Sequence, residues 1–252
     1  MLVLLHGMNG GADQFESAFT DRHLDGFGLL ALDLPGFGHS QPPTGWASLD
    51  DIAKPLATAI TEGTAGRPHC IVAHSFSGAL AHRTRSNTAT PVVLLEGNLV
   101  ADHLDFSSRI LSFTRSDFAS EHARLQRAAH MILKGQIKTP LADTQLRRLA
   151  AAWQQCEATT VWDAADACAR DVRSGNVLSS YRRVAPLLCL YGTSSRYAAG
   201  VDTLARALPN AEFASVARAG HYPWLDRPEE TWSTIARFAQ RHCHQTGLTQ
   251  HA

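Results

Sequence analysis

Short runs of apolar residues recur along the chain, and each run ends at glycine, proline or a polar turn. The runs are almost continuously apolar rather than alternating, which is typical of strands covered on both faces, as in a parallel sheet. Helical patterns fill the intervals between them. This alternation of strand and helix predicts an α/β fold with a doubly wound, mostly parallel sheet. The six predicted strands are 1–5, 29–34, 69–75, 91–97, 185–192 and 211–217.

Two stretches beside the predicted strands have apolar residues at the spacing of an amphipathic helix. The first covers 48–62 and the second covers 228–243, which begins at a proline, a residue favoured in the first turn of a helix. Each stretch carries one apolar stripe with polar residues opposite. We therefore expect both helices to pack against a face of the sheet. The stripes consist of Leu49, Ile52, Ala53, Leu56 and Ile60, and of Trp232, Ile235, Ala236 and Ala239.

The interval 99–183, called the insertion below, breaks the alternation of strand and helix. It shows no strand pattern, only helical patterns such as 119–134 and 144–153. An interval of this length is too long for a loop. The sequence therefore predicts a helical cap, inserted before the last two strands, on an α/β core formed by 1–98 and 184–252.

Composition and charge exclude several classes of function. Lysine plus arginine equal aspartate plus glutamate at 23 each, so no basic surface for nucleic acid or an anionic membrane is expected. The five cysteines are odd in number and widely spaced, which indicates a reducing compartment without a disulfide framework. The N-terminus has neither the pattern of a signal peptide nor an apolar run long enough to span a membrane. The predicted location is the cytoplasm.

A serine lies where the third predicted strand meets a helical pattern. The stretch IVAHSFSGALA (71–81) places Ser75 at this junction, with Ala73 and Ser77 two residues to either side. This is a relaxed form of the G-x-S-x-G pattern, in which a sharp bend exposes a nucleophilic serine and small neighbours let the backbones approach. By itself the stretch is equally compatible with an ordinary turn.

Two further stretches follow predicted strands and favour the functional interpretation. LLHGMNGG (4–11) supplies an H-G-x-x-G pattern, a loop whose amides can point into the crevice at the strand ends. GHYPWLDRPEE (220–230) follows the last strand and carries His221. A lone loop histidine is more often a surface residue, but here it follows the serine in the chain and lies on the same side of the predicted sheet.

Together these motifs resemble the α/β-hydrolase superfamily over nearly the whole chain. The insertion lies where that family usually carries a cap. By this resemblance, the given chain is expected to start on the strand that leads to the oxyanion loop and to lack the family's first hairpin. Four motifs in the family's order carry the resemblance: His6-Gly7-Met8-Asn9-Gly10, Asp33-Leu34-Pro35-Gly36-Phe37-Gly38-His39-Ser40, Ala73-His74-Ser75-Phe76-Ser77-Gly78 and Gly220-His221.

The resemblance implies a role for each motif. Ser75 is the expected nucleophile and His221 the expected general base, since a serine hydroxyl is a poor nucleophile unless a base accepts its proton. The backbone N–H groups of Met8 and Phe76 are the expected oxyanion hole. Asp33 is expected to be structural, within a turn that shapes the crevice wall.

The acid of the expected triad departs from the family's usual position. The loop after APLLCLYG reads Thr193-Ser194-Ser195-Arg196, without a carboxylate. Glu96 instead ends the buried run PVVLLEG, where an unpaired carboxylate would cost several kcal/mol, and a minority of the family keeps its acid there. We expect Glu96 to orient the histidine, with Asp102 and Asp202 as alternatives.

The predicted function is a cofactor-free serine hydrolase that cleaves a carboxylic ester, or a thioester or lactone, through an acyl-enzyme on Ser75. The alternatives are a non-hydrolytic enzyme of the same fold (a lyase, a cofactor-independent oxygenase, an acyltransferase or a cyclase) and a ligand-binding receptor or scaffold. The expected substrate is a small, moderately apolar molecule, selected by aromatic residues of the insertion. No metal site is expected: His242, Cys243 and His244 are adjacent, so they point apart in a helix, and residues 242–252 look like a tail.

Overall fold

The predicted parallel sheet is confirmed in a computed structural model, which describes residues 1–45 and 48–243. All adjacent strands pair in parallel, in the order β2-β1-β3-β4-β5-β6. Much of the predicted tail therefore lies outside the described residues. The strands are β1 (Leu2–Leu5), β2 (Leu29–Leu32), β3 (Cys70–His74), β4 (Val92–Leu95), β5 (Leu187–Gly192) and β6 (Glu212–Val216).

The continuous apolar runs are explained by two hydrophobic cores, one on each face of the sheet. Successive side chains of a strand point to opposite faces, so Val3 and Leu5 of β1 enter one core while Leu2 and Leu4 enter the other. The central strands β1, β3, β4 and β5 are buried throughout. The edge strands β2 and β6 are only partly buried because each pairs with one neighbour.

Helices cover both faces, and those of the core include the two predicted ones. α1 and α9 match the predicted stretches to within two residues, and α9 buries Trp232, Ile235 and Phe238 on one face. No helix in the described part of the chain is long and apolar enough to cross a membrane. The helices are α1 (Asp50–Thr64), α2 (Asp105–Ile110), α3 (Phe118–Gln136), α4 (Asp143–Gln154), α5 (Ala158–Arg173), α6 (Asn176–Tyr181), α7 (Val201–Ala207), α8 (Pro223–Asp226) and α9 (Pro228–Cys243).

The insertion contains five of these helices, α2 to α6, and none of its described residues is in a strand. α3 and α4 contain the two predicted helical patterns. α5 is not among the helical patterns named from the sequence, and four of its eight buried residues are alanine. Helices α2, α3 and α4 each contribute at least one residue to the lining of the cavity that Ser75 faces. The insertion therefore lies over the carboxyl edge of the sheet.

The strand order sets the position of the site. β2 is added on one side of β1 and the later strands on the other, so the strand order switches sides between β1 and β3. Open α/β sheets usually bind ligands at such a switch point. The register aligns Leu5 with Ala73 and His74 with Leu95. The residues that follow β1, β3 and β4 therefore emerge side by side from the sheet.

Candidate active site

Ser75 occupies a strained bend directly after β3. Its φ angle is +53°, in the left-handed region that residues with a side chain rarely adopt. This geometry turns the hydroxyl away from the sheet and into the crevice, as a nucleophile elbow does. The helical pattern predicted after the serine corresponds to short 3-10 helices, Ser75–Ala79 and Ala81–Arg83, not to an α-helix.

The small residues of the relaxed motif each satisfy a local constraint. The Ser77 hydroxyl lies 2.9 Å from the Leu5 carbonyl oxygen, so this serine links the bend to β1 where the usual motif has glycine. Gly78 follows it, and a Cβ there would lie 2.7 Å from the Gly97 Cα, closer than real contacts allow. In the usual motif, a glycine two residues after the serine lets the neighbouring backbones approach. Here that position is Ser77, and Gly78, one residue later, allows the close approach to Gly97.

The structure brings Ser75, His221 and Glu96 together in one line of contacts. The His221 Nε2 atom lies 3.1 Å from the Ser75 Oγ atom. The His221 Nδ1 atom lies 3.3 Å from the Glu96 Oε2 atom. Glu96 is fully buried, while the His221 side chain retains 12% exposure. The histidine can therefore receive a proton on Nε2 while it donates a hydrogen bond from Nδ1 to a carboxylate.

Glu96 reaches this position through its own backbone strain and is held by two further donors. It follows β4 with a φ angle of +54°. The Gly192 N–H donates to its Oε1 atom at 2.6 Å, and the Ser195 hydroxyl donates to its Oε2 atom. Ser195 lies on the loop where the family usually has its acid. The alternative carboxylates, Asp102 and Asp202, are both exposed on the surface.

A second buried histidine, His74, supports the loop that carries His221. Its Nε2 atom lies 2.9 Å from the His221 carbonyl oxygen, and the two rings are 4.7 Å apart. Burial, reinforced by the neighbouring His221, holds the pKa of His74 well below its usual range. His74 is therefore neutral at physiological pH, with its ring proton on Nε2 to donate to that carbonyl.

The loop after β1 is organised by His6. Its Nε2 atom accepts a hydrogen bond from the Leu34 N–H at 2.9 Å, and its Nδ1–H donates to the Gly7 carbonyl at 2.7 Å. Burial lowers the pKa of His6 to about 4, against the opposing effects of the Gly7 carbonyl and Asp33, so the ring is neutral. The Asp33 carboxylate accepts hydrogen bonds from the backbone N–H groups of Ala12 and His39. These contacts agree with the structural role expected for it.

The reactive groups face a small inner cavity of about 40 Å³. This volume holds roughly three water molecules. Met8 and Phe76, whose N–H groups are the expected oxyanion hole, both line it beside Ser75. Its full lining is Gly7, Met8, His74, Ser75, Phe76, Asn98, Phe106, Ser107, Gln136, Trp153, Tyr197, His221 and Tyr222.

A wider outer cleft of about 680 Å³ adjoins the inner cavity. Four residues line both spaces: Phe106, Gln136, Tyr197 and His221. The walls of the outer cleft combine apolar side chains with charged ones. The residues that line only the outer cleft are Asp105, Arg109, Met131, Ile132, Gly135, Lys138, Thr193, Ser194, Ser195 and Arg196.

The aromatic residues of the insertion divide into two groups. Trp153 and Phe106 line the inner cavity, with their rings 5.7 Å apart. Trp162 and Phe113 line neither the inner cavity nor the outer cleft, and the Trp162 indole N–H donates to the Phe113 carbonyl. Only part of the aromatic content of the insertion therefore faces the site.

Sequence reasoning missed the residues that support the expected triad. The loop of Ser195 lacks an acid, but the hydroxyl of this serine bonds the acid of the neighbouring strand. The Asp226 side chain bonds the Gly220 N–H beside His221, and no motif in the sequence indicates this contact. Among the described residues no cluster of histidine, cysteine, aspartate or glutamate has the arrangement of a metal site.

Comparison with known proteins agrees with this architecture. A sequence model of the alpha/beta hydrolase family matches residues 2–234. No sequence among curated proteins matches the chain significantly. Three similar solved structures are an esterase from Exiguobacterium antarcticum (TM-score 0.77, 13% identity, 95% of this chain and 91% of that one), a bromoperoxidase from Bacillus anthracis (0.74, 18%, 95% and 91%) and MenH from S. aureus (0.69, 17%, 96% and 93%). At these identities, the similarity establishes the fold alone.

Proposed function

Because the chain belongs to the alpha/beta hydrolase family, we propose that it is a cofactor-free serine hydrolase that cleaves a carboxylic ester through an acyl-enzyme on Ser75. The observation that carries this proposal is the contact line from the Ser75 hydroxyl through His221 to the buried carboxylate of Glu96, at 3.1 and 3.3 Å. It joins a nucleophile, a base and an orienting acid at the carboxyl edge of the sheet.

The proposed reaction has two halves, acylation of Ser75 and hydrolysis of the acyl-enzyme, and His221 transfers a proton in each. The Ser75 Oγ atom attacks the ester carbonyl carbon as its proton passes to the His221 Nε2 atom. The oxyanion accepts hydrogen bonds from the N–H groups of Met8 and Phe76. One such donor typically stabilises the transition state by about 3–4 kcal/mol. The ester C–O bond then breaks, and Nε2 returns the proton to the leaving alcohol. A water molecule, deprotonated by the same nitrogen, releases the acid and restores Ser75.

Glu96 is proposed to hold His221 in the correct tautomer. It accepts the Nδ1–H, which leaves the lone pair of Nε2 facing the serine. The Gly192 N–H and the Ser195 hydroxyl engage both oxygens of this carboxylate. Its orientation is therefore set before substrate binds, and it stabilises the imidazolium that forms during attack.

The two spaces at the site support a division of the substrate. We propose that the inner cavity takes a short acyl group, because about 40 Å³ leaves room for only a few heavy atoms. The outer cleft then takes a larger alcohol part, with Phe106 and Tyr197 as apolar contacts. A small ester that is moderately apolar near its carbonyl group would match both the inner cavity and the outer cleft.

Labelling with a fluorophosphonate tests the proposal. We expect a single adduct on Ser75, and none in a Ser75→Ala variant. Ser40→Ala is the matched control, since this hydroxyl donates to the Asp33 carbonyl and Ser40 lines neither the inner cavity nor the outer cleft, so its loss should leave labelling intact. An adduct mapped to Ser40, Ser77 or Ser195 would refute the assignment of the nucleophile.

A panel of short-chain esters and thioesters separates hydrolysis from the alternatives. The non-hydrolytic enzymes share the same three residues, so they label with the probe but leave the panel uncleaved. A receptor or scaffold shows neither labelling nor turnover. The proposed cytoplasmic location is supported by the five cysteines, none of which is in a disulfide within the described residues.

A further inference from the structure

The loop that carries His221 is in direct backbone contact with the insertion. The His221 N–H donates to the carbonyl of Gln136, the last residue of α3, at 3.0 Å. The preceding residue is Gly220, where a Cβ would lie only 2.1 Å from the same Gln136 oxygen. Only glycine lets the two backbones approach this closely. The expected base therefore rests against the end of an insertion helix.

The carboxylate of Asp226 joins the same two segments. Its Oδ1 atom accepts the N–H groups of Lys138 and Thr139, at 2.7 and 2.6 Å. Its Oδ2 atom accepts the Gly220 N–H at 2.7 Å. The Thr139 hydroxyl also donates to the Asp226 backbone carbonyl at 3.0 Å. One side chain thus connects the residues after α3, the residue before His221 and the end of α8.

This carboxylate is buried, with 4% exposure, and its charge is met by backbone donors. No lysine, arginine or histidine forms an ion pair with it among the described residues. Three N–H donors converging on a buried anion make strong, directional bonds. These bonds fix the positions of two backbone segments, since the donors belong to Lys138 and Thr139 on one segment and to Gly220 on the other.

We propose that Asp226 is a positioning residue that locks the histidine loop, residues 217–222, to the insertion. This inference rests on the proposed role of His221 as general base. The His221 imidazole must keep both its contacts, at 3.1 Å to Ser75 and 3.3 Å to Glu96, to act in that role. Displacement of the loop lengthens one or both contacts. Asp226 acts on the reaction only through His221, since it is not itself among the residues that line the inner cavity.

The inference gives the insertion a part in catalysis besides substrate choice. The nucleophile, oxyanion loop and acid all lie outside the insertion, but the backbone that holds the base is bonded to it at Gln136, Lys138 and Thr139. Any displacement of this end of the insertion should therefore be transmitted to the histidine loop.

Asp226→Asn tests the proposal with nearly unchanged volume. One amide oxygen can still accept from Lys138 and Thr139, but the NH₂ group then faces the Gly220 N–H, so a donor meets a donor. We expect kcat for p-nitrophenyl acetate to fall about tenfold to a hundredfold with KM little changed, the range for displaced catalytic groups. The low-field NMR resonance of the His221–Glu96 hydrogen bond should shift or broaden.

Asp163→Asn is the matched control. The Asp163 side chain is also mostly buried and bonds Arg115 within the insertion, without contact to the histidine loop. It should lower stability without changing kcat or the low-field resonance. If Asp226→Asn lowers only the melting temperature, and kcat and the resonance match the wild type well below that temperature, Asp226 is merely structural and the proposal is wrong.

A second variant covers the case in which Asp226→Asn does not fold. Thr139→Val removes only the hydroxyl that bonds the Asp226 carbonyl, and a severalfold loss of kcat at unchanged KM is expected. Unchanged kcat in this variant would equally overturn the proposal. The outcome is distinct from failure of the proposed function, in which the wild-type protein itself neither labels with fluorophosphonate nor cleaves the ester.

Discussion

Ser75 and Glu96 are two non-glycine residues with positive φ at the ends of the neighbouring strands β3 and β4. Such backbone angles typically cost about 1–3 kcal/mol each and persist where the surrounding structure enforces them. Here they direct both side chains out of the sheet towards His221. The Gly192 N–H and the Ser195 hydroxyl offset part of the cost at Glu96 by bonding its carboxylate.

Glu96→Gln should therefore lower kcat by about a thousandfold to ten-thousandfold while the fold is retained. The amide places a donor near the His221 Nδ1–H or the Ser195 hydroxyl, which favours the wrong tautomer of the histidine. Steady-state ester hydrolysis measures the loss, and circular dichroism checks the fold. Asp102→Asn and Asp202→Asn are the controls and should be nearly neutral. A severe loss in either control with a mild effect at Glu96 would show that the acid is misassigned.

At the scale of elements, α4 and α5 of the insertion contribute unequally to the site. α4 ends near the inner cavity and places Trp153 in its wall. α5 packs against α2 and α3 and carries Trp162, which does not line that cavity. Under the proposed function, Trp153 would therefore limit the length of the acyl group, whereas Trp162 packs between the helices of the insertion.

Trp153→Leu should shift the enzyme towards longer acyl chains. The smaller side chain makes room for about two further methylene groups, and their burial at about 0.8 kcal/mol each corresponds to a rise of about tenfold in kcat/KM for a butyrate ester relative to an acetate ester. Trp162→Leu is the matched control and should lower the melting temperature without changing this ratio. The same ratio in the wild type and the Trp153 variant would exclude Trp153 as the limiting wall.

Across the whole molecule, several buried histidines are neutral in the folded state. Burial lowers the pKa of His6 and of His103 to about 4 and that of His82 to about 3. Each binds a proton at higher pH when the chain unfolds, since the pKa of an exposed histidine is about 6.5. Their contribution to stability is therefore complete above about pH 6.5 and is lost as pH falls towards 4.

We expect the free energy of unfolding to fall steeply between about pH 6.5 and 4, by about 3 kcal/mol for His6 alone at about 1.36 kcal/mol per pKa unit. Urea unfolding across this range measures the slope. His82→Gln keeps a neutral acceptor for Arg83 and should reduce the slope by about one proton. His130→Gln, at a partly exposed position, is the control. A stability that is constant over this range would contradict the assignment of neutral buried histidines.

The sequence by itself determined the parallel sheet, all six strands and the order of the motifs. These are recorded in local patterns: continuous apolar runs for covered strands, helical spacing for α1, α3, α4 and α9, and small residues around Ser75. It also indicated Glu96, because a carboxylate at the end of a buried strand needs a partner.

Only the tertiary structure decided which distant groups meet. Ser195 bonds the carboxylate of Glu96 across 99 residues of chain, and Asp226 bonds Lys138 across 88. No local pattern encodes such pairs, because they depend on strand register and on backbones that approach only where Gly220 lacks a side chain. The division between Trp153 and Trp162 likewise depends on how the insertion helices pack over the sheet, since both tryptophans lie on helices of similar amphipathic character.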